Sequence, residues 1–110
     1  MNAIQFFVQG SSIDPYRVTF QKDGQHLSAL CTCPAGVNGQ YCKHRFAILN
    51  GEDIGIVSNN QHEVEIVASW LADSDVEAAL VEVKQAEVEF ERAKKVVASA
   101  KKKVAAIMRS

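Results

Sequence analysis

The chain has 110 residues, of which 47% are apolar but only 7% aromatic, and its formal net charge is −1. This length is typical of one domain, and a core rich in alanine and valine favours an additional staple such as a metal, a disulfide or a partner subunit. The near-zero charge excludes a globally basic field that would draw the chain to nucleic acid or membrane. The start lacks a signal-peptide pattern and no stretch reaches the roughly 20 apolar residues of a membrane span, so we expect a cytoplasmic protein without a membrane partner.

The first third of the chain is predicted to form a β-meander. Asp23-Gly24 is a strong signal for a tight hairpin turn. The last strand is expected to deliver Cys31 and Cys33, whose i, i+2 spacing places both side chains on one face. Three segments are rich in β-branched, aromatic or alternating residues, which favours strands: 4–8, 16–20 and 26–32.

Two helices are predicted after the meander. A short helix over residues 42–49 ends at Asn50-Gly51, and residues 51–57 are ambiguous, with IGIV compatible with a short strand. A second helix begins near Asn60, which can cap it together with Glu63. Its apolar face is expected to consist of four residues: Ile66, Val67, Trp70 and Leu71.

A third, long helix is predicted to begin after Ser74, since Ser74 to Glu77 has the pattern of a capping box and neither Gly nor Pro follows. Apolar residues repeat there every seven positions, as in a coiled coil, with small residues at d. The a positions are Val76, Val83, Phe90, Val97 and Val104, and the d positions are Ala79, Ala86, Ala93, Ala100 and Ile107.

Charge divides this helix into two halves. Residues 75–91 contain six acids and one base, whereas residues 92–110 contain seven bases and no acid. This order suits the helix dipole, and it also suits antiparallel pairing of an acidic half with a basic half. The heptad face over residues 76–107 needs a partner surface, which we expect to be the helix at 60–72, a second copy of the chain or an unknown protein.

All three cysteines lie close together in the sequence Cys31-x-Cys33, an eight-residue loop, and Cys42-x-His44. Three sulfurs and one imidazole are a common shell for structural zinc, which is tetrahedral. The alternatives are free thiols, redox chemistry and an iron–sulfur cluster. Redox chemistry is disfavoured because Cys-x-x-Cys is absent and a Cys-x-Cys disulfide is strained, and this spacing is not usual for iron–sulfur clusters.

The pattern resembles the SWIM-type zinc finger, CxCx(n)CxH, over residues 16–50. The resemblance implies that Zn²⁺ is bound by Cys31, Cys33, Cys42 and His44. It also implies a strand before the ligands, a helix after them, and a role in DNA binding or protein contacts.

Catalysis is not expected, because four protein ligands leave no open position on a tetrahedral ion and no glutamate lies beside them in sequence. DNA binding is the alternative to protein binding, through phosphate contacts of the finger and the basic end of the last helix. Against it, the first 50 residues carry only four bases and two acids. The candidate nucleic-acid contacts are Lys22, Tyr41, Lys43 and Arg45.

The other polar side chains are assigned ordinary roles. His26 and His62 are expected to be solvated, Asp73 and Asp75 to cap helices, and Lys101–Lys103 to be a solvated helix end. We therefore predict an α+β fold, with a small β-meander and a short helix around one structural zinc (1–57). A helical hairpin with a long heptad-patterned helix (58–110) follows.

Overall fold

The computed structural model describes residues 2–110 and confirms the predicted α+β class, with a three-stranded antiparallel meander followed by helices. The second and third strands are joined by the predicted tight turn, in which Gly24 has φ +59°, a left-handed conformation that favours glycine. The strands are β1 (Asn2–Val8), β2 (Tyr16–Asp23) and β3 (His26–Cys31).

The helices lie close to their predicted places, with one addition. The helix over Pro34–Val37 falls in a segment predicted as loop. It is a single turn, with Pro34 in its first turn and Cys33 as its N-cap. The helices are α1 (Pro34–Val37), α2 (Lys43–Leu49), α3 (Val64–Trp70) and α4 (Asp75–Arg109), with a 3₁₀ turn at Gln61–Glu63.

One face of the sheet forms the core because apolar residues alternate along its strands. The rings of Phe6 and Phe20 meet edge to face, with centroids 6.1 Å apart. Helices α1 and α2 contact β3, and α2 in turn contacts α3. The buried residues contributed by the sheet are Phe6, Val8, Val18, Phe20, Leu27 and Cys31.

The ambiguous segment at 51–57 adds a single bridge to the sheet edge. Ile56 pairs with Val8, and Val57 N–H donates to Phe7 O at 2.8 Å. Gly55, with φ +83°, turns the chain there, so that its carbonyl accepts from Gln9 N–H at 2.7 Å. The segment therefore blunts the edge strand without becoming a strand itself.

The predicted apolar face of the helix near residues 60–72 needs a correction. The first turn is 3₁₀, and the α-helix begins only at Val64. Val64 and Val67 are buried, whereas Ile66 is 47% exposed. Val64 lies three residues before Val67 and so shares its face, whereas Ile66 is adjacent to Val67 and points about 100° away from it.

The start of α4 is capped by Ser74, as predicted. Its Oγ accepts from Glu77 N–H at 3.1 Å, and Glu77 Oε1 accepts in turn from Asp73 N–H at 3.1 Å. The reciprocal bond reaches one residue further back than in a standard capping box. Asp73 has φ +61°, which aspartate tolerates better than most residues.

The capping role predicted for Asp75 belongs to Ser74, and the side chain of Asp75 instead binds the β2–β3 hairpin. Its Oδ2 lies 2.6 Å from His26 Nδ1, and its Oδ1 accepts from Leu27 N–H at 2.9 Å. The Asp75 N–H donates to Gln25 O at 2.8 Å. These contacts fix the first turn of α4 to the tip of the hairpin.

The chain divides into two compact units, Met1–Glu77 and Ala78–Ser110. The core belongs to the first unit, and Val64 and Val67 are part of it although they lie beyond residue 57. The boundary of the zinc-binding domain at residue 57 stays a prediction. Within the described residues, no helix has the length and apolarity that crossing a bilayer requires.

We expect Asp75→Asn to destabilise the protein in a pH-dependent way. The His26 hydrogen bond, supported by the Leu27 N–H, lowers the pKa of Asp75 below its ordinary value. A carboxyl whose pKa is lower in the folded chain adds stability above its unfolded pKa and loses that contribution as the pH falls through the folded pKa. The deficit of Asp75→Asn in free energy of unfolding should thus be largest near pH 7 and shrink below about pH 4.

Asp73→Asn is the matched control, since it makes the same charge change two residues away. Zinc release in acid affects wild type and both variants alike, so urea unfolding of all three across pH isolates Asp75. Equal deficits for the two variants at every pH would contradict the assigned role of Asp75.

Candidate metal centre

The first two cysteines are positioned by the end of β3 and the start of α1. Cys31 pairs with Val18 in the sheet and faces the core, where it is 6% exposed. Cys33 lies just beyond the strand, is 3% exposed and caps α1 by accepting from Gly36 N–H at 3.3 Å. The prediction that both side chains point to one side is confirmed, although the strand ends at Cys31.

The other two donors come from the start of α2. Cys42 is the N-cap of this helix and is 1% exposed. His44 lies in the first turn, with its Nδ1 3.6 Å from Cys42 Sγ and 3.8 Å from Cys31 Sγ. Gly39, at φ +71°, turns the chain between α1 and α2. The predicted strand before the ligands and helix after them are thus confirmed, with α1 lying inside the segment predicted as loop.

The four donor atoms have the spacing of a tetrahedral zinc shell. All four lie within 4.8 Å of one another, and the sulfurs of Cys33 and Cys42 are 3.4 Å apart. Zinc bonds of ordinary length at tetrahedral angles place two sulfurs about 3.8 Å apart, and a sulfur and a nitrogen about 3.6 Å apart. The observed separations are close to these values, so the residues fit zinc, with Nδ1 as the His44 donor.

The four groups differ in how readily they lose a proton. Burial raises the pKa of Cys31 to about 12. Burial also opposes ionisation of Cys42, but hydrogen bonds from the backbone of Arg45 and from Cys33 and Cys31 outweigh it, so the pKa of Cys42 is lowered. Burial, with the charge of Lys43, lowers the pKa of His44, which keeps its imidazole neutral and able to bind metal.

Backbone N–H groups surround the sulfurs and favour their thiolate forms. Cys33 N–H donates to Cys31 Sγ at 3.5 Å, and Gly36 N–H donates to Cys33 Sγ. Such donors offset part of the cost of burying negative charge. These N–H groups would therefore stabilise the negative charge of the thiolates that bind zinc.

Sequence reasoning missed three contacts that support the site. Tyr16 lies beside His44, with ring centroids 5.3 Å apart, and faces the same side of β2 as Val18. Strand alternation could have identified Tyr16. A Cβ on Gly10 would lie 2.5 Å from the Tyr16 ring, and a Cβ on Gly36 would lie 2.3 Å from Cys31 O. No sequence pattern signals these two close approaches.

Two of the residues predicted to contact nucleic acid bind backbone carbonyls within the chain. Lys22 Nζ donates to Trp70 O at 2.7 Å. Arg45 donates to Ala29 O at 3.1 Å and to Gln40 O at 2.6 Å, and its Nε is buried without a partner among the described residues. Both cations therefore stabilise the fold by joining segments that are distant in the sequence.

The other two predicted contacts are exposed. Tyr41 stacks on Phe46, with ring centroids 4.1 Å apart, and keeps 66% of its surface exposed. Lys43 is exposed and has no hydrogen-bond partner among residues 2–110. Tyr41 and Lys43 line a shallow depression beside His44, together with Ser11 and Tyr16. Phosphate binding by these residues stays a prediction.

Comparison with known protein families finds one match in the same segment. Residues 16–50 match the family model of the SWIM zinc finger, and all four donors lie inside the match. Neither the curated proteins nor the solved structures gave a significant match. The family match and the converging donors together support zinc binding by this segment, and the SWIM finger is a binding module that is not typically catalytic.

We expect Cys42→Ser to abolish zinc binding and to unfold the first unit while α4 keeps much of its helicity. Structural zinc contributes on the order of 10 kcal/mol to folding, which is comparable to the whole stability of a small domain. Residues 78–110 contain none of the buried core, so their helix does not depend on it. The check is to measure circular dichroism and zinc content of Cys42→Ser and of the wild type, the latter before and after its zinc is removed with a chelator.

Thr32→Ser is the control, because it lies between two ligands and keeps the hydroxyl that accepts from Arg17 N–H. That variant should retain zinc and melt as the wild type does. A normal melt of Cys42→Ser after it has lost zinc would contradict the structural role of the metal.

We expect Gly36→Ala to weaken both folding and zinc binding. Alanine ordinarily stabilises a helix by about 0.5–1 kcal/mol relative to glycine. At this position the added Cβ would lie 2.3 Å from Cys31 O, so the ligand strand must shift. Overpacking of this kind costs roughly 1–3 kcal/mol.

Gly39→Ala separates the clash from backbone strain, because its Cβ meets nothing within 4 Å while its φ is +71°. It should cost about 1 kcal/mol and leave zinc affinity close to that of the wild type. Urea unfolding and competition with a chromophoric chelator would measure both effects. A Gly36→Ala protein that binds zinc as tightly as Gly39→Ala would argue against the close packing of α1 on Cys31.

Proposed function

We propose that this protein is a zinc-stabilised interaction module, in which the metal fixes a recognition surface and performs no catalysis. The observation that carries the proposal is the closed donor set: three sulfurs and one imidazole nitrogen, all from this chain, converge with tetrahedral spacing. Four such ligands complete the coordination of structural zinc, whereas catalytic zinc keeps a position for water or substrate.

The burial of the donors supports the same conclusion. The three cysteines are between 1% and 6% exposed, so substrate would have to approach through His44. The finger instead presents its loop to solvent. Val37 is 72% exposed and Tyr41 66%, and they lie on either side of Gly39 between the two ligand pairs. Zinc would hold these apolar side chains in a fixed conformation, which reduces the entropy lost on binding a partner.

Cobalt substitution tests the closed shell directly. Co²⁺ bound by these ligands should give the intense visible bands of a tetrahedral site with thiolate ligands, at one ion per chain. Addition of azide should leave the spectrum unchanged, because the ion has no free position. A spectral change with azide would reveal an open coordination site and would overturn the non-catalytic assignment.

Nucleic acid is a second candidate for the target of the module, favoured by two observations. Lys43 and Tyr41 line one depression next to the metal site, where a base and its phosphate could be contacted together. The basic half of α4, residues 92–110, carries seven cations and no acid, and its side chains are exposed. Both features would bind the phosphate backbone irrespective of sequence.

If DNA is the target, anisotropy titrations with labelled single- and double-stranded DNA should show binding that weakens steeply with salt. Lys43→Glu should then lower the affinity and reduce the slope of log affinity against log salt by about 1. Lys84→Glu, an exposed lysine within the acidic half of α4, is the matched control and should not weaken binding. Absence of binding at low salt would leave protein recognition as the function of the module.

A further inference from the structure

Helix α4 presents an apolar face that no described residue covers. It has no buried residue over its 35 residues, and Phe90 in the middle is 62% exposed. Within the second unit, the other a positions are exposed as well. Val83 is 38%, Val97 52% and Val104 56% exposed. Val76, the first a position of the sequence pattern, packs against the core of the first unit and is therefore left out of this face.

We propose that two copies of this chain pair through residues 78–110 as an antiparallel coiled coil, centred between Glu91 and Arg92. In an antiparallel pair, each a residue faces a d residue of the other helix. The register that places Phe90 opposite Ala93 of the second copy satisfies this condition from residue 79 to residue 104. The layers, each occurring twice by symmetry, are Val83 with Ala100, Phe90 with Ala93, Val97 with Ala86 and Val104 with Ala79.

Side-chain size supports this pairing. In every layer a valine or phenylalanine from one helix faces an alanine from the other, so the layers have similar volume and the helices can approach closely. Parallel pairing would instead place Phe90 against Phe90 and Ala93 against Ala93. Layers of alternating excess and deficit of volume pack poorly.

Charge supports the same orientation and the same centre. The change from acidic to basic sequence falls between Glu91 and Arg92, which is the centre of the register set by the apolar layers. Each acidic half therefore lies along the basic half of the other copy. The volumes and the charges are separate properties of the sequence, and they give the same centre.

Two kinds of pair among the residues that flank the apolar face are complementary in charge in this register. At the e positions Glu87 faces Lys94, and at the g positions Glu82 faces Lys103, each pair occurring twice. Lys94 Nζ already lies 5.5 Å from the Phe90 ring, at the edge of the face. In parallel pairing, Glu82 would face Glu87 and repel it.

Charge-reversed chains of full length test the proposal. Sedimentation equilibrium of the zinc-loaded wild type should show a dimer that weakens with salt. The variant E82K/E87K places lysine against lysine at four pairs, and K94E/K103E places glutamate against glutamate at the same four. Each variant alone should raise the dimer dissociation constant by roughly 100-fold. An equimolar mixture should restore a heterodimer of wild-type affinity, because all four pairs are again opposite in charge.

K95E/K102E is the matched control, since it makes the same charge change as K94E/K103E but at f positions on the opposite face. It should remain dimeric. A monomeric wild type at high micromolar concentration would overturn the proposal and indicate a different protein or nucleic acid as the occupant. Failure of the mixture to associate would overturn the antiparallel register. Loss of the dimer in K95E/K102E would overturn the assigned face.

Measuring the zinc content of each sample and its response to azide after cobalt substitution distinguishes failure of this proposal from failure of the proposed function. All variants should hold one zinc per chain, because none alters residues 1–77. A monomeric protein with one closed zinc site would overturn the pairing alone. A dimer with an open site would overturn the non-catalytic assignment alone.

Discussion

The convergence of four donors on one point is the constraint on which the first unit depends. Within fourteen residues the chain must end a strand, make one helical turn, reverse direction and begin a second helix, and it must leave three sulfurs and a nitrogen within 4.8 Å. Each step has a local cause. Cys33 caps α1, Pro34 starts it, Gly39 turns the chain and Cys42 occupies the N-cap position of α2. Two of the ligands thus also lie at the N-termini of helices.

This double use joins the metal site to the apolar core. Cys31 belongs to the sheet and Cys42 begins the helix that buries Ile48 and Leu49, so all three cysteines are part of the same buried cluster as Phe6 and Phe20. A core of this size carries little surplus stability, since a small domain buries a limited share of its surface. Zinc would supply the missing free energy. Without the metal, burial raises the pKa of Cys31 to about 12, so this side chain stays a protonated thiol and no metal–sulfur bond joins it to the other donors.

The elements and the ligands could be predicted from the sequence because they depend on local patterns. Alternation identified the strands, Asp23-Gly24 the hairpin, and the Cys-x-Cys and Cys-x-His pairs the site. The features that escaped depend on distance in space. The role of Asp75 arises only when the hairpin tip reaches the start of α4, and the engagement of Arg45 by Ala29 O requires the finger to be folded. Ile66 was misplaced because the predicted face omitted Val64, which shares a helix face with Val67 and is buried in place of Ile66.

The two units obtain their stability from different sources, and this difference bears on how the protein responds to its surroundings. The first unit would depend on thiolates and a metal, so we expect it to be sensitive to acid and to chelators. The second is a helix without buried residues that is long enough to be helical alone, and in the proposed dimer its apolar and charged faces would gain free energy by association. That gain would depend on protein concentration and on salt, because the proposed flanking ion pairs would be exposed and screened. Metal availability would therefore act on the first unit and local protein concentration on the second. A monomer would offer a partner one finger, and the proposed dimer would offer it two.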